Sequence, residues 1–171
     1  MKLHFEKYRQ LGVKIDAICT QLHEVHSEHT QCKKGCSSCC MNFCLLPVEF
    51  HFILEHLKDE LVELNRSAEN DQCVFLVNNA CSIYQYRPII CRSHGLPILF
   101  MDDEGENWNL SFCPLNFDDV PDEYFSLENS YDQDTLNSEL FLINKAFIEA
   151  YQDKNYGEMQ MLEMSSLVDY L

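Results

Sequence analysis

Ten cysteines in a chain of 171 residues constrain this sequence more than any other feature. Four of them fall within one short stretch: Cys32, Cys36, Cys39 and Cys40. Four more follow at wider spacing: Cys73, Cys81, Cys91 and Cys113. Thiolates are soft ligands, which select zinc, copper(I) or iron–sulfur clusters over magnesium or calcium. The pattern therefore predicts a fold organised around a metal site built wholly or mostly from cysteine.

The spacing within the first group indicates more than one metal atom. In Cys36-Ser37-Ser38-Cys39 the two-residue gap lets both sulfurs turn toward one ion, as in tetrahedral zinc sites with Zn–S distances of ~2.3 Å. Cys39 and Cys40 are adjacent, however, and neighbouring side chains diverge on a helix or a strand. Such a pair more readily serves two ions, or a multinuclear cluster and a position outside it.

The few positive charges of the chain lie partly beside these cysteines. Arg87 and Arg92 flank Cys91, and we predict that both guanidinium groups offset the charge of metal-bound thiolates without touching the metal. Eight thiolates around two divalent ions would leave about four negative charges to be offset. Lys33 and Lys34 fit either that role or an ordinary position at the surface.

The remaining cysteines and the histidines are weaker candidates for metal ligands. Three histidines recur at intervals of three on a predicted helix: His23, His26 and His29. That interval spreads them over the helix surface, so we expect a solvated face, and only His29, nearest to the cysteines, is kept as a candidate ligand. Cys19 is expected to be a small buried hydrophobic residue. Cys44 could be recruited if its loop is helical, and His94 is expected to be a hydrogen-bonding loop histidine more often than a ligand.

Charge and hydropathy exclude several classes of partner. The formal net charge of −16 leaves no source for the counterion release on which nucleic-acid binding depends. It equally disfavours anionic membrane surfaces, and no stretch approaches the roughly 18 apolar residues of a membrane span. The first residues lack the apolar core of a secretory signal, so we expect a cytoplasmic protein, whose thiols stay reduced. Metal ions are the expected partners.

Apolar periodicity predicts a mainly helical chain that forms a single domain, 1–171. We expect one amphipathic helix over 5–29 and a second over 47–64, which opens at a proline. The C-terminal region, 135–171, is also predicted to be helical. The acidic segment 118–134 has no clear period and is predicted to be a surface connection. The near-heptad stripe of the first helix could pack in the core or on a partner subunit.

Two short hairpins are predicted between these helices, inside a cysteine-bearing core at 32–113. The first covers 73–84 and turns at Asn78-Asn79-Ala80, which would bring Cys73 and Cys81 side by side. The second covers 96–113. The expected fold class is α+β, with helices, two small β-hairpins and irregular cysteine-bearing loops around a metal site.

The cysteine spacing, together with the order Ile-Tyr-x-x-Arg-Pro-x-x-Cys-Arg over 83–92, resembles the YkgJ-type cysteine-cluster family. Its members are small bacterial proteins described as zinc- or iron-chelating domains. The resemblance covers about 32–113, with Val74 standing where the family often has proline. It implies a metal-ligand role for eight residues: Cys32, Cys36, Cys39, Cys40, Cys73, Cys81, Cys91 and Cys113.

A metal-binding protein is the leading interpretation, and three others stay open. All-cysteine sites hold zinc and iron–sulfur clusters alike, including [4Fe–4S] clusters, and we favour zinc because no channel for a redox cofactor can be read from the sequence. A similar cluster in flagellin lysine N-methylases suggests an iron–sulfur enzyme, but five glycines offer little material for a nucleotide loop. A vicinal disulfide between Cys39 and Cys40 would make a redox switch. A Cys-His hydrolase at Cys91 and His94 lacks an orienting third group.

Overall fold

A computed structural model describes residues 1–33, 35–68 and 71–171 of the chain. The chain divides into two compact units, which are described separately below. The first unit comprises Met1–Arg9, Lys34–Pro88 and Phe141–Leu171, and the second comprises Gln10–Lys33 and Ile89–Leu140. The predicted α+β class is confirmed, since helices combine with small sheets of two or three strands. The single domain over 1–171 stays a prediction.

The helices and strands have the following bounds. The α-helices are α1, Lys2–Val25; α2, Pro47–Leu57; α3, Ile90–Ser93; and α4, Gln133–Ala150. Shorter 3-10 helices cover Tyr84–Tyr86, Asp122–Tyr124 and Met164–Tyr170. The strands are β1, Cys44–Leu45; β2, Leu76–Val77; β3, Ala80–Cys81; β4, Ile98–Met101; β5, Trp108–Ser111; β6, Tyr131–Asp132; and β7, Leu162–Glu163. Within the described ranges, none of the helices combines the length and the apolar character needed to cross a membrane.

The predicted N-terminal helix is confirmed, although the bounds 5–29 were wrong: α1 starts and ends earlier. The apolar stripe predicted for this helix comprised Tyr8, Leu11, Ile15, Ile18, Leu22 and Val25. Four of these are buried, namely Tyr8, Leu11, Ile15 and Leu22, whereas Ile18 is only half-buried. The expectation that Cys19 is a buried hydrophobic residue is also confirmed. Val25, the last residue of the stripe, is half exposed because the helix ends there. A partner bound through this helix stays a prediction.

His26 corrects one prediction from the same region. It was expected on a solvated helix face, but it is 0% exposed. Its Nε2 atom lies 2.6 Å from the backbone carbonyl of Asn129, and its ring meets that of Phe117 edge to face. The prediction failed because α1 ends at Val25, the residue before His26. Helical periodicity therefore does not determine the direction of this side chain. His23, which is still in the helix, is exposed as expected.

Helix α2 begins where the proline predicted and ends seven residues before the expected 64. The carboxylate of Glu49 accepts a hydrogen bond from the backbone N–H of Leu46 at 3.4 Å and another from the hydroxyl of Tyr8 at 3.1 Å. These contacts fix the start of the helix. After Leu57 the chain turns through polar residues, and Leu61, which lies inside the predicted helix, is fully exposed. The extended bounds 47–64 were therefore wrong.

Both predicted hairpins are present, and the segment between the second one and α4 is more ordered than expected. In the first unit β2 pairs with β3; in the second unit β4 pairs with β5, both antiparallel. Strand β6 joins the edge of β4 in parallel, so part of 118–134 belongs to the sheet and the prediction of a surface connection was wrong there. Tyr131 is buried in that strand.

The C-terminal region 135–171 is helical only in parts. Helix α4 begins at Gln133, where Asp132 accepts hydrogen bonds from the backbone N–H and the hydroxyl of Thr135. Beyond α4, strand β7 pairs with β1, and a 3-10 helix follows it. The backbone N–H of Met164 bonds the carbonyl of Phe43, which fixes this return of the chain in the first unit. The helix expected from 135 is therefore confirmed in α4, whereas the helical prediction was wrong where β7 forms.

An aromatic cluster in the first unit contains a histidine with a strongly lowered pKa. The ring centroids of His51 and Tyr151 are 4.5 Å apart, and His51 Nε2 lies 2.9 Å from the hydroxyl of Tyr156. Burial, aided by the positive charges of Lys154 and Lys58, lowers the pKa of His51 to about 4. The folded protein therefore favours the neutral ring.

Acid should consequently destabilise the protein through His51. Its folded pKa of about 4 lies below the ordinary value of 6.5, so the unfolded chain takes up the proton first. The stabilising contribution is complete above pH 6.5 and is lost as the pH falls toward 4. Because water screens the half-buried ring, we expect a loss of about 1 kcal/mol. Denaturant unfolding of the wild type and His51→Gln at pH 7 and 4.5 measures it. If the wild type exceeded His51→Gln in free energy of unfolding by the same amount at both pH values, the assignment would be wrong.

Candidate metal centre

Three of the predicted ligands in the first unit lie on one loop that precedes β1. Cys36 is exposed, whereas Cys39 and Cys40 are half-buried. The loop closes on itself through a hydrogen bond from the Cys40 backbone N–H to the Ser37 carbonyl, at 3.0 Å. The hydroxyl of Ser37 also donates to Asn79 Oδ1 at 3.2 Å. The cysteine loop is thus tied to the turn of the first hairpin.

That hairpin carries two further predicted ligands. Asn78 and Asn79 have φ angles of 51° and 57°, the left-handed conformation that a two-residue hairpin turn requires. Cys81 lies in β3 opposite Leu76, and Cys73 precedes β2 by three residues. Cys73 is 6% exposed and Cys81 is half-buried. The tight turn was predicted to bring these two cysteines together, and their electrostatic interaction agrees with that expectation.

Backbone contacts join the cysteine loop to the hairpin. The backbone N–H of Cys73 donates to the carbonyl of Cys40 at 3.3 Å, and Met41 forms an isolated antiparallel bridge with Gln72. These contacts bring Cys40 and Met41 beside residues that lie more than thirty positions later in the sequence. Four thiols of the first unit interact as a result: Cys39, Cys40, Cys73 and Cys81. We refer to them as the four-thiol cluster.

The adjacent thiols of Cys39 and Cys40 have pKa values that are shifted in opposite directions. A hydrogen bond from the Cys40 side chain lowers the pKa of Cys39 to about 6. The same bond raises the pKa of Cys40, as do its burial and the nearby thiols of Cys39, Cys73 and Cys81. The pair therefore favours one thiolate next to one thiol. A thiolate is the form of cysteine that binds metal.

Cys73 and Cys81 lie in a drier environment. Burial raises the pKa of both thiols. The backbone amides of Phe75 and Leu76 offset part of this rise at Cys73, and the amide of Ile83 does so at Cys81. Amide groups facing a buried sulfur stabilise its ionised form, which is also the effect of a bound cation.

Arg87 contributes positive charge to the same cluster. Its charge acts to lower the pKa of the Cys81 thiol, against the larger effect of burial. Its guanidinium carbon lies 3.9 Å from the centre of the Tyr84 ring, a cation–π contact. Its role of offsetting the charge of metal-bound thiolates stays a prediction.

Arg92 has a different environment in the second unit. Its guanidinium forms an ion pair with Asp16 and packs on Gly12, where an added Cβ would lie 3.6 Å from Arg92 Cζ. The contacts with Asp16 and Gly12 account for its nearly buried side chain, and its role beside a metal-bound cysteine stays a prediction. Lys33 is exposed, and Lys34 lies outside the described residues.

The second unit holds the other three predicted ligands. Cys32 is exposed at the surface, Cys91 lies on α3, and Cys113 follows β5 by two residues. The backbone N–H of Asn116 bonds the carbonyl of Cys113 at 2.9 Å, and its side-chain amide contacts the sulfur of Cys32 at 3.3 Å. Asn116 therefore links the segments of Cys32 and Cys113. Sequence reasoning missed it because an asparagine in a loop carries no distinctive pattern.

The other candidate donors lie in ordinary structural environments. His29 Nδ1 is 3.7 Å from the carboxylate of Asp119, and its backbone carbonyl accepts a hydrogen bond from Phe117. Burial lowers the pKa of His94. Cys44 lies exposed in β1, which is not the helical loop that its recruitment required.

The predicted ligands are cysteine thiols, which are suited to soft metal ions. The cysteines of the four-thiol cluster are not joined by disulfides, and they combine partial burial, facing amides and one nearby guanidinium. Over the ranges 1–33, 35–68 and 71–171, no three cysteine, histidine or carboxylate side chains are already arranged closely enough to hold an ion. Within these ranges the thiols therefore lie near one another but do not form a complete coordination sphere.

Comparison with known families places this cluster in a defined class. Residues 31–114, about half of the chain, match the model of the CxxCxxCC family, described as "Putative zinc- or iron-chelating domain". This match to the CxxCxxCC family model confirms the resemblance seen in the cysteine spacing. No curated protein and no solved structure matches the chain.

Proposed function

We propose that this protein binds zinc through cysteine thiolates, with the four-thiol cluster as the core of the ligand set. The observation that carries the proposal is the backbone pairing of the cysteine loop with the hairpin, which brings Cys39 and Cys40 to Cys73 and Cys81. Such pairing is long-range, so it costs loop-closure entropy that a bound ion would repay. The match of 31–114 to the model of a chelating family supports the same conclusion.

The remaining predicted cysteines stay in the proposed ligand set: Cys32, Cys36, Cys91 and Cys113. With them, the number of thiols exceeds the four that one zinc ion takes. We therefore retain the proposal of a polynuclear centre. Zinc bound to thiolates would supply a structural cross-link between distant segments, since it has no redox chemistry of its own. A metal site of this kind needs its cysteines reduced, and we retain the cytoplasm as the proposed location.

Within the described part of the chain the donors are not yet close enough to hold an ion, so binding should draw the sulfurs together. Metal affinity and folding would then be coupled. The test is metal analysis of the full chain prepared without oxygen, followed by thermal unfolding with and without a chelator. We expect about one or more zinc ions per chain and a lower unfolding midpoint after chelation. A brown protein that absorbs near ~400 nm would favour iron–sulfur over zinc.

A further inference from the structure

The side chain of Asn116 in the second unit is held in one orientation. Its Oδ1 atom accepts a hydrogen bond from the backbone N–H of Gln31 at 2.8 Å. Its Nδ2 atom donates to the backbone carbonyl of Gly95 at 2.7 Å. Because Asn116 is 1% exposed, water cannot replace these partners. The amide therefore cannot turn over without losing both bonds.

This fixed orientation leaves one N–H of the amide to face a sulfur atom. Nδ2 of Asn116 lies 3.3 Å from Cys32 Sγ, whereas Oδ1 is 3.9 Å away from the same sulfur. An amide nitrogen can only donate, so Cys32 Sγ accepts at the shorter contact, while a protonated thiol can also donate to Oδ1 at the longer one. A thiolate, free or bound to a metal, accepts such a bond better than a thiol does.

Gly95 holds the other side of the same sulfur. Its φ angle is 92°, and a Cβ atom built on it would lie 2.7 Å from Cys32 Sγ. A distance this short is a steric clash, so any larger residue would displace the sulfur of Cys32. Only glycine satisfies both the backbone conformation and the space.

The segment around Asn116 is anchored in spite of strain. Phe117 has a φ angle of 61°, which is uncommon for an aromatic residue. Its backbone N–H bonds the carbonyl of His29 at 2.9 Å, and its ring is buried. The preceding N–H, that of Asn116, bonds the carbonyl of Cys113. Backbone strain of this kind persists where the surroundings determine the conformation, often near functional sites.

We propose that Asn116 and Gly95 position Cys32 as a metal ligand, with Asn116 donating a hydrogen bond to its sulfur. The inference rests on the proposed function and extends it. Asn116 lies two residues beyond the matched segment 31–114, so the family description does not assign it. Groups that hydrogen-bond a metal ligand fix its direction, and their loss lowers metal affinity by about 10–100-fold.

The test is a competition titration of zinc against a chromophoric chelator, with the full chain as wild type, Asn116→Asp and Asn116→Ala. Asn116→Asp keeps an acceptor for Gln31 but replaces the donor that faces Cys32 with an oxygen. We expect both variants to bind zinc at least about tenfold more weakly than the wild type. Equal affinity in all three would overturn the inference while leaving the proposed function intact.

Two controls separate positioning from stability. Asn129→Asp is the matched substitution, because Asn129 also bridges backbone groups in the second unit, those of Tyr124 and Ser126. It should leave zinc affinity unchanged. In a Cys32→Ser background, Asn116→Ala should weaken binding no further, since its effect passes through Cys32. A further tenfold loss there would contradict the assignment, and a wild type without metal would refute the proposed function itself.

Discussion

Replacing Cys73 with serine should weaken metal binding, so that less metal is bound, and lower the midpoint of thermal unfolding by about 10 °C. Cys73 is the most buried member of the four-thiol cluster, and backbone amides face its sulfur. A structural zinc contributes on the order of 10 kcal/mol to small zinc domains, and losing a third of that gives about 3 kcal/mol. At roughly 2–4 °C per kcal/mol for a chain of this length, the shift is about 6–12 °C. Metal analysis and calorimetry of the purified variant measure both effects.

Two other cysteines serve as matched controls for this variant. Cys44→Ser changes an exposed thiol of the first unit that lies in β1, outside the four-thiol cluster. Cys19→Ser changes a thiol as buried as Cys73, but on α1. We expect full metal content in both, with a loss of stability only in the second. Wild-type metal content in Cys73→Ser would remove that residue from the ligand set.

Truncating Phe75 to alanine should weaken both the fold and the metal site. Phe75 is 0% exposed and lies between Cys73 and β2, and its carbonyl accepts hydrogen bonds from the backbone and the side chain of Ser82. Loss of a buried phenyl ring typically costs about 3–5 kcal/mol. Because the same residue holds Cys73 and Cys81 in register, we expect zinc affinity to fall as well, by about tenfold. Chelator competition and denaturant unfolding give the two values.

A second buried ring provides the comparison. Phe147 is also 0% exposed and packs on Phe5 in the first unit, with ring centroids 5.8 Å apart. Phe147→Ala should cost a similar free energy of unfolding while leaving zinc affinity of the folded protein unchanged. If both variants lowered affinity equally, the effect of Phe75 would reflect general loosening, and its role in holding the cysteines would be wrong.

The parts of the fold that depend on local sequence were predictable. The turn predicted at Asn78-Asn79-Ala80 is formed by the two asparagines, which adopt the left-handed conformation readily, while Ala80 already lies in β3. The turn determined the pairing of β2 with β3. Pro47 predicted the start of α2 for a similarly local reason. The cysteine spacing predicted the family, since ligand spacing is itself a local property.

The parts that depend on distant contacts could not be predicted. Helix α2 ends at Leu57 although the apolar spacing continues to Leu64, because the chain turns back and Asn65 bonds the carbonyl of Val74. His26 is buried by residues about a hundred positions away, such as Asn129. Asn116 gains its importance only through a sulfur 84 positions earlier in the chain. No periodicity along the sequence encodes these pairings.

The most direct test is to count metal atoms and free thiols in the same sample of full-length protein, prepared without oxygen. The account predicts at least about one zinc or iron atom per chain, with the cysteines of the four-thiol cluster protected from alkylation until a chelator is added. Protein that is folded, contains no zinc, iron or copper, and has ten freely alkylated cysteines would contradict it.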